Sequence, residues 1–231
     1  ADSVAADGRH LYPGHILSGS FSTSELPNQV RIDRSNPKIQ GSVFFRGYLF
    51  IDNTLGFRDS LRQNFYRYQA LPPVMAWKDT VAPFSPRQFR FERLAGTGPA
   101  ALQWQAPLLA ADGDSASRYV IYELGGSTII PGDLDNPARI LSVLGAAGYV
   151  PPTAAEPGPR YFAATALDRN FNESAPTGVV EVVPPDIPVL SLPADHAINQ
   201  PPVVDVRWVG VPNASSYRLQ IAPDTSFSSG L

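Results

Sequence analysis

The chain has no cysteine, a single methionine and three histidines among its 231 residues. Disulfides, thiolate metal sites and a cysteine nucleophile are thereby excluded. No cofactor is expected and no metal site. No apolar run approaches the ~20 residues of a membrane-spanning helix, and the opening residues lack a basic-then-apolar leader. If the protein is exported, its signal is expected upstream of Ala1. An excess of basic charge is missing too. The 18 Lys and Arg against 21 Asp and Glu leave a net charge of −3, which removes the electrostatic footprint of a nucleic-acid binder.

Proline, by contrast, is abundant. The 24 prolines are roughly twice the usual share of ~5%. They gather near residues 72–86, 151–159, 184–193 and 201–212, where turns and linkers are expected. An apolar content of 43% is enough for packed cores, so disorder is not the default.

The stretch 41–80 marks a junction between two architectures. Residues 42–50 carry Val43, Phe44, Phe45, Tyr48, Leu49 and Phe50 in a near-continuous apolar run. Without alternation, such a run suits a parallel strand covered on both faces. Residues 56–68 set Phe57, Leu61, Phe65 and Tyr68 on one helical stripe, with Arg58, Arg62 and Arg67 elsewhere. Pro72 and Pro73 then forbid the helix from continuing. Upstream, residues 10–16 read as a short strand. Ser22 and Glu25 have the spacing of a capping box for a helix over 25–34, which stops before Asn36-Pro37. Strand, helix, strand and helix in succession form a right-handed β/α unit, the repeating piece of a parallel barrel.

The motifs here are G-S-V-F-F (41–45), D-S-L-R-x-x-x-Y (59–66) and A-L-P-P-x-M-x-W-x-D (70–79), preceded by LYPGHI (11–16) and ELPNQVRIDR (25–34). Together they resemble the end of the catalytic barrel in the glycosyl-hydrolase-like family 10. The resemblance implies a partial β/α barrel over 1–81, comprising the last two β/α units. It also implies a bacterial, extracytoplasmic protein acting on polysaccharide, with peptidoglycan glycan strands as the plausible substrate.

In parallel barrels the chemistry sits at the carboxyl ends of the strands. His15 could hydrogen-bond a sugar hydroxyl or carboxylate there, and Arg46 could pair with an anionic substrate group. A lone histidine is more often simply a polar loop residue, and an arginine at a strand end is as often structural. Asp52 and Asp59 are the nearest carboxylates, and Asp59 is explained by the first turn of its helix. Glycoside hydrolysis needs two positioned carboxyl groups. By the resemblance both lie on earlier strands, so no catalytic residue is assigned in this chain.

From residue 82 the pattern changes. Short β-rich segments at 87–94, 101–105, 117–124, 138–144, 160–167 and 178–183 alternate with turn signals, as in an antiparallel sandwich. Trp104 in L-x-W, Tyr119-x-x-Tyr122 and the run around Tyr161 resemble a fibronectin type III module over 82–185, with Trp104 as its core tryptophan and Tyr161 as its tyrosine corner. Asp112-Gly113-Asp114 and Asp133-Leu134-Asp135 read as turns rather than calcium loops. After a stiff proline linker at 183–188, residues 186–231 begin a second sandwich. A strand is expected at 203–208, with Trp208 paralleling Trp104 and Tyr217 paralleling Tyr119. Pieces of three domains, incomplete at both ends, are therefore expected. The alternative reading is a non-catalytic spacer or a carbohydrate- or surface-binding module. Only Trp77, Tyr149 and Phe171 look free to stack on sugars, and Trp77 is expected to anchor the joint at 70–86.

Overall fold

The computed structural model describes residues 8–93, 100–152, 158–212, 214 and 216–222. The chain divides into two compact units, Ala1–Pro151 with Tyr161–Glu181, and Pro152–Arg160 with Val182–Leu231. The boundary expected near residue 82 falls inside the first of these.

The first unit opens with strand β1 (Gly14–Ile16), helix α1 (Glu25–Ser35) and strand β2 (Val43–Phe45). β1 and β2 pair in parallel, with His15 opposite Phe44. Both strands are shorter than expected. Pro13 cannot donate to a ladder, which fits the start of β1 at Gly14. β2 stops at Phe45 because Arg46 takes a left-handed backbone, φ 72°, and the chain then coils into α2 (Tyr48–Ile51). Nor is β2 covered on both faces. Phe44 packs against the core, whereas Val43 and Phe45 are 55% and 65% exposed.

α1 matches its expected span to within a residue, and Asn36 ends it by donating its N–H to the Asp33 carbonyl. Its buried stripe is Leu26, Val30 and Asp33. The capping box does not form. Ser24 is the cap residue, and the Glu25 carboxylate instead accepts from Gln29 Nε2 at 2.8 Å. α3 (Phe57–Ser60) runs on into a wide π turn over Leu61–Phe65. Such a turn adds about one residue, so the stripe rotates. Phe57 and Leu61 are buried beside Leu17, Leu26, Val30 and Leu49, and Phe65 packs on them, but Tyr68 lies beyond the helix and is exposed.

A β-sandwich follows. One sheet has three strands in the order β3 (Arg87–Arg93), β4 (Ala100–Gln105), β7 (Gly148–Tyr149). The other has four, in the order β6 (Ile140–Leu144), β5 (Arg118–Leu124), β8 (Arg160–Leu167), β9 (Val180–Val182). All the pairings between these strands whose registers are described are antiparallel. Trp104, 4% exposed, packs between Phe89 and Tyr119, with ring centroids at 6.1 and 5.3 Å. That is the core position expected of it.

Alternation along β5 sends Tyr119 toward the other sheet and Val120, Tyr122 and Leu124 the opposite way. This second face is also buried. Val120, Tyr122, Leu124, Ala163 and Leu167 form a cluster covered by Leu71, Ile129, Leu134 and Ile140. The segment 70–86, called the strap below, therefore helps to cover the sandwich's outer face. Tyr161 sits at the rim of this cluster, half-buried, and its hydroxyl makes no hydrogen bond among the described residues. The tyrosine corner expected there is not seen. The buried phenol is instead Tyr122, which donates to Glu173 Oε1 at 2.6 Å.

In the second unit β10 (Leu190–Leu192) pairs antiparallel with β11 (Arg207–Trp208). The strand expected from Val203 is confined to those last two residues. Val203 is 82% exposed, and Asp205 pairs with Arg207 at 3.0 Å. Trp208 packs tilted against Tyr217, with ring centroids at 5.4 Å, but keeps 37% exposure, unlike the sealed Trp104.

Candidate functional site

His15 and Arg46 stand at or just past the carboxyl ends of β1 and β2. The period of a strand turns the His15 ring toward α1, where Nε2 donates to Asp33 Oδ2 at 2.6 Å. The Ser42 hydroxyl donates to the same oxygen. The two side chains of the pair are 12% and 7% exposed, and the ring lies tilted over Phe44 at 5.7 Å. This bond fixes the tautomer by occupying Nε2, so only Nδ1 is left for any external partner.

Arg46 is the opposite case. It is exposed, held at φ 72°, and makes no ion pair among the described residues. Asn53 and Leu55 in the same loop also lie at positive φ, 51° and 53°. Such backbone costs of order 1–3 kcal/mol per residue and persists only where the surroundings enforce it. The enforcement is a clasp. Asn53 Nδ2 donates to Asp59 Oδ2 at 2.7 Å, and the Asp59 N–H donates to Asn53 Oδ1 at 3.3 Å. Asp59 also receives Arg58 at 3.3 Å, so it closes the loop structurally, while Asp52 stays exposed. His15 and Arg46 are not brought together, since one faces α1 and the other faces solvent.

The strap shows a second constellation, gathered from distant sequence. Met75 N–H donates to the Asn170 carbonyl at 2.9 Å. Asp79 Oδ1 accepts the Val81 N–H at 2.9 Å, and Oδ2 lies 3.3 and 3.5 Å from the Asn172 and Asn170 amides. The Val81 N–H chiefly holds the Asp79 carboxyl below its ordinary value, against the opposing effect of burial, with help from Asn170 and Asp168. Trp77 is half-buried and packs edge-on against His10 at 4.5 Å. This contact ties the strap to the lead into β1.

Oxygens of Asp79, Asp112 and Asp114 lie within 4.8 Å of one another. The Asp112-Gly113-Asp114 segment is nonetheless a turn, with Asp114 N–H on Asp112 Oδ1 at 3.0 Å and Gly113 at φ 87°. Arg169 Nε already sits 3.0 Å from Asp114 Oδ2. Asp133 likewise closes its own turn, accepting from the Ile130 N–H at 3.0 Å.

The chain is 31% identical over 86 residues to the glycosyl hydrolase YngK of Bacillus subtilis (strain 168), a match covering 34% of this chain and 17% of that relative. The chain thus spans under a fifth of the relative's length. No family model matches. Among solved structures, FN3tt is similar over 45% of this chain and 95% of its own, with 17% identity and a TM-score of 0.31. A titin kinase structure with its flanking domains is similar over 45% of this chain and 17% of its own, with 13% identity and a TM-score of 0.34.

Proposed function

We propose that this chain is part of an extracytoplasmic glycoside hydrolase-like protein acting on polysaccharide. Its first β/α units form the end of the barrel, and its sandwich is a fibronectin type III-like, non-catalytic extension. The observation that carries the reading is the parallel β1–β2 pair followed by a clasped, left-handed loop that holds Arg46 in solvent just past the carboxyl end of β2. Barrel enzymes place substrate contacts at that end. The match to a glycosyl hydrolase gives coarse support for a carbohydrate role. Peptidoglycan glycan strands are the proposed substrate.

In this reading Arg46 grips an anionic group on the glycan, and His15 offers Nδ1 to a hydroxyl. Neither performs the chemistry, because the acid and the nucleophile or base belong to earlier barrel strands. The sandwich acts as a spacer fixed to the barrel, which the double coverage of its four-stranded sheet supports.

The test is steady-state kinetics of reducing-end release from peptidoglycan, using the protein that carries this chain with its whole barrel. Arg46→Ala is expected to raise KM several-fold with kcat little changed, the signature of lost uniform binding. The isolated 231-residue chain is expected to release nothing. Turnover by the isolated chain that Asp52→Asn or Asp59→Asn abolishes would overturn the reading.

A further inference from the structure

Four rings from three separate stretches of chain surround one cleft of about 410 Å³. His10 and Tyr12 come from the lead into β1, Trp77 from the strap and Phe171 from the loop after β8, with Arg9 at the rim. We propose that this cleft is a binding subsite for the pyranose rings of a glycan, with Trp77 and Phe171 as stacking surfaces and Arg9 as a polar contact. The proposal rests on the polysaccharide reading above only for the identity of the ligand.

The cleft suits a sugar in size and chemistry. Its volume falls within the ~300–1,000 Å³ typical of small-molecule sites, which are largely apolar with a few placed polar groups. A pyranose presents weakly apolar C–H faces and a hydroxyl edge. Rings receive the faces, and donors such as the Arg9 guanidinium and the Trp77 indole N–H receive the edge. Neither donor makes a hydrogen bond among the described residues.

The rings are also held in place before any ligand arrives. His10 Nε2 donates to the Val74 carbonyl at 2.9 Å, so Nδ1 accepts from the Tyr12 hydroxyl at 3.2 Å. Tyr12 lies against Gly41, where a Cβ would come within 3.0 Å of two ring carbons. Phe171 is carried at φ 67° on a loop whose two flanking N–H groups, of Asn170 and Asn172, both donate to Asp168 Oδ1 at 2.7 and 2.9 Å. A large apolar side chain at positive φ is costly and needs such bracing. Rigid rings bind with less loss of freedom than mobile ones.

Titration calorimetry of the full chain with hexasaccharides of N-acetylglucosamine, of glucose and of galacturonic acid tests the proposal, with a proline-rich decapeptide as comparison. At least one hexasaccharide is expected to bind saturably. Trp77→Ala and Phe171→Asn are each expected to weaken it about tenfold, or 1.4 kcal/mol. Asn tolerates left-handed backbone, so Phe171→Asn removes the ring while leaving the loop able to fold. A preference for the uronic acid that disappears in Arg9→Gln would identify the ligand as acidic. The proposal falls if no hexasaccharide binds, if only the peptide binds, or if Phe171→Asn binds as tightly as the parent chain. In that last case the polysaccharide reading stands and the cleft assignment alone is lost. If the whole protein hydrolyses no glycan yet ring-dependent binding persists, the enzyme reading fails and the cleft assignment stands.

Discussion

The Tyr122 phenol is fully buried on the outer face of the four-stranded sheet, where it donates to Glu173 Oε1, an oxygen that also accepts from Thr165. Burial above all, then the bond to Glu173, raises its pKa well above the ordinary value of 10.0. The folded chain therefore favours the protonated phenol. Its contribution to stability is full below pH 10 and declines as pH rises, because the unfolded chain then releases the proton. Urea unfolding at about pH 8 and about pH 11 should show a loss at the higher pH that is smaller in Tyr122→Phe. Trp104 has a simpler role as a filler between the sheets, and Trp104→Ala should cost about 3–5 kcal/mol by the same measurement. A cost under about 1 kcal/mol would place it at the surface. Its position was legible because L-x-W in an alternating strand has one inward side. Trp208 has a similar spelling, V-x-W, but lies on a two-residue strand, and nothing in the spelling reports how much sheet is built around it. Tyr161 misled for a related reason. The cluster it joins lies on the outer face of its sheet and includes Leu71 from far along the chain.

At the scale of elements, α1 was readable from its boundaries, since Asn36-Pro37 stops a helix whatever it packs against. β2 was not. Its apolar run continues through Leu49 and Phe50, and what ends the strand is the backbone of Arg46, a residue type with no turn preference. That strain is measurable. Arg46→Gly relieves a left-handed conformation and should stabilise the chain by about 0.5–1 kcal/mol, read as a higher denaturant midpoint with an unchanged slope. A neutral or destabilising result would mean that the arginine side chain offsets the strain through contacts of its own. The His15–Asp33–Ser42 cluster was equally hidden, because its members come from β1, α1 and the lead into β2, whose approach depends on the parallel register. Only His15 announced itself, as a polar residue at a strand end.

At the scale of the whole molecule, the two units differ in how much holds them. The first has buried apolar clusters in both its β/α part and its sandwich, whereas the described part of the second has one two-stranded sheet, a form that is marginal by itself in water. Amide exchange should therefore be slowest along β5 and β8 and fast over the described residues from 186 onward. Comparable protection in both regions would refute this ranking. The cleft proposed for a glycan belongs to this scale as well. Residues 9–12, 72–77 and 171 have no local pattern in common, so no reading by period or motif could have joined them.

The ties between strap and sandwich bear on inheritance. Met75 holds Asn170, and four residues later Asp79 reaches Asn170 and Asn172, so both strands of the tie have fixed lengths. A gene rearrangement that exchanged the sandwich at residue 82, the obvious seam, would part the Met75–Asp79 segment from the loop it grips. Domain shuffling should accordingly avoid the seam at residue 82, and a cut before residue 70 is no freer, because it would part Val74 and Trp77 from His10. An insertion between Met75 and Asp79 should be tolerated only with a matching change at 168–172.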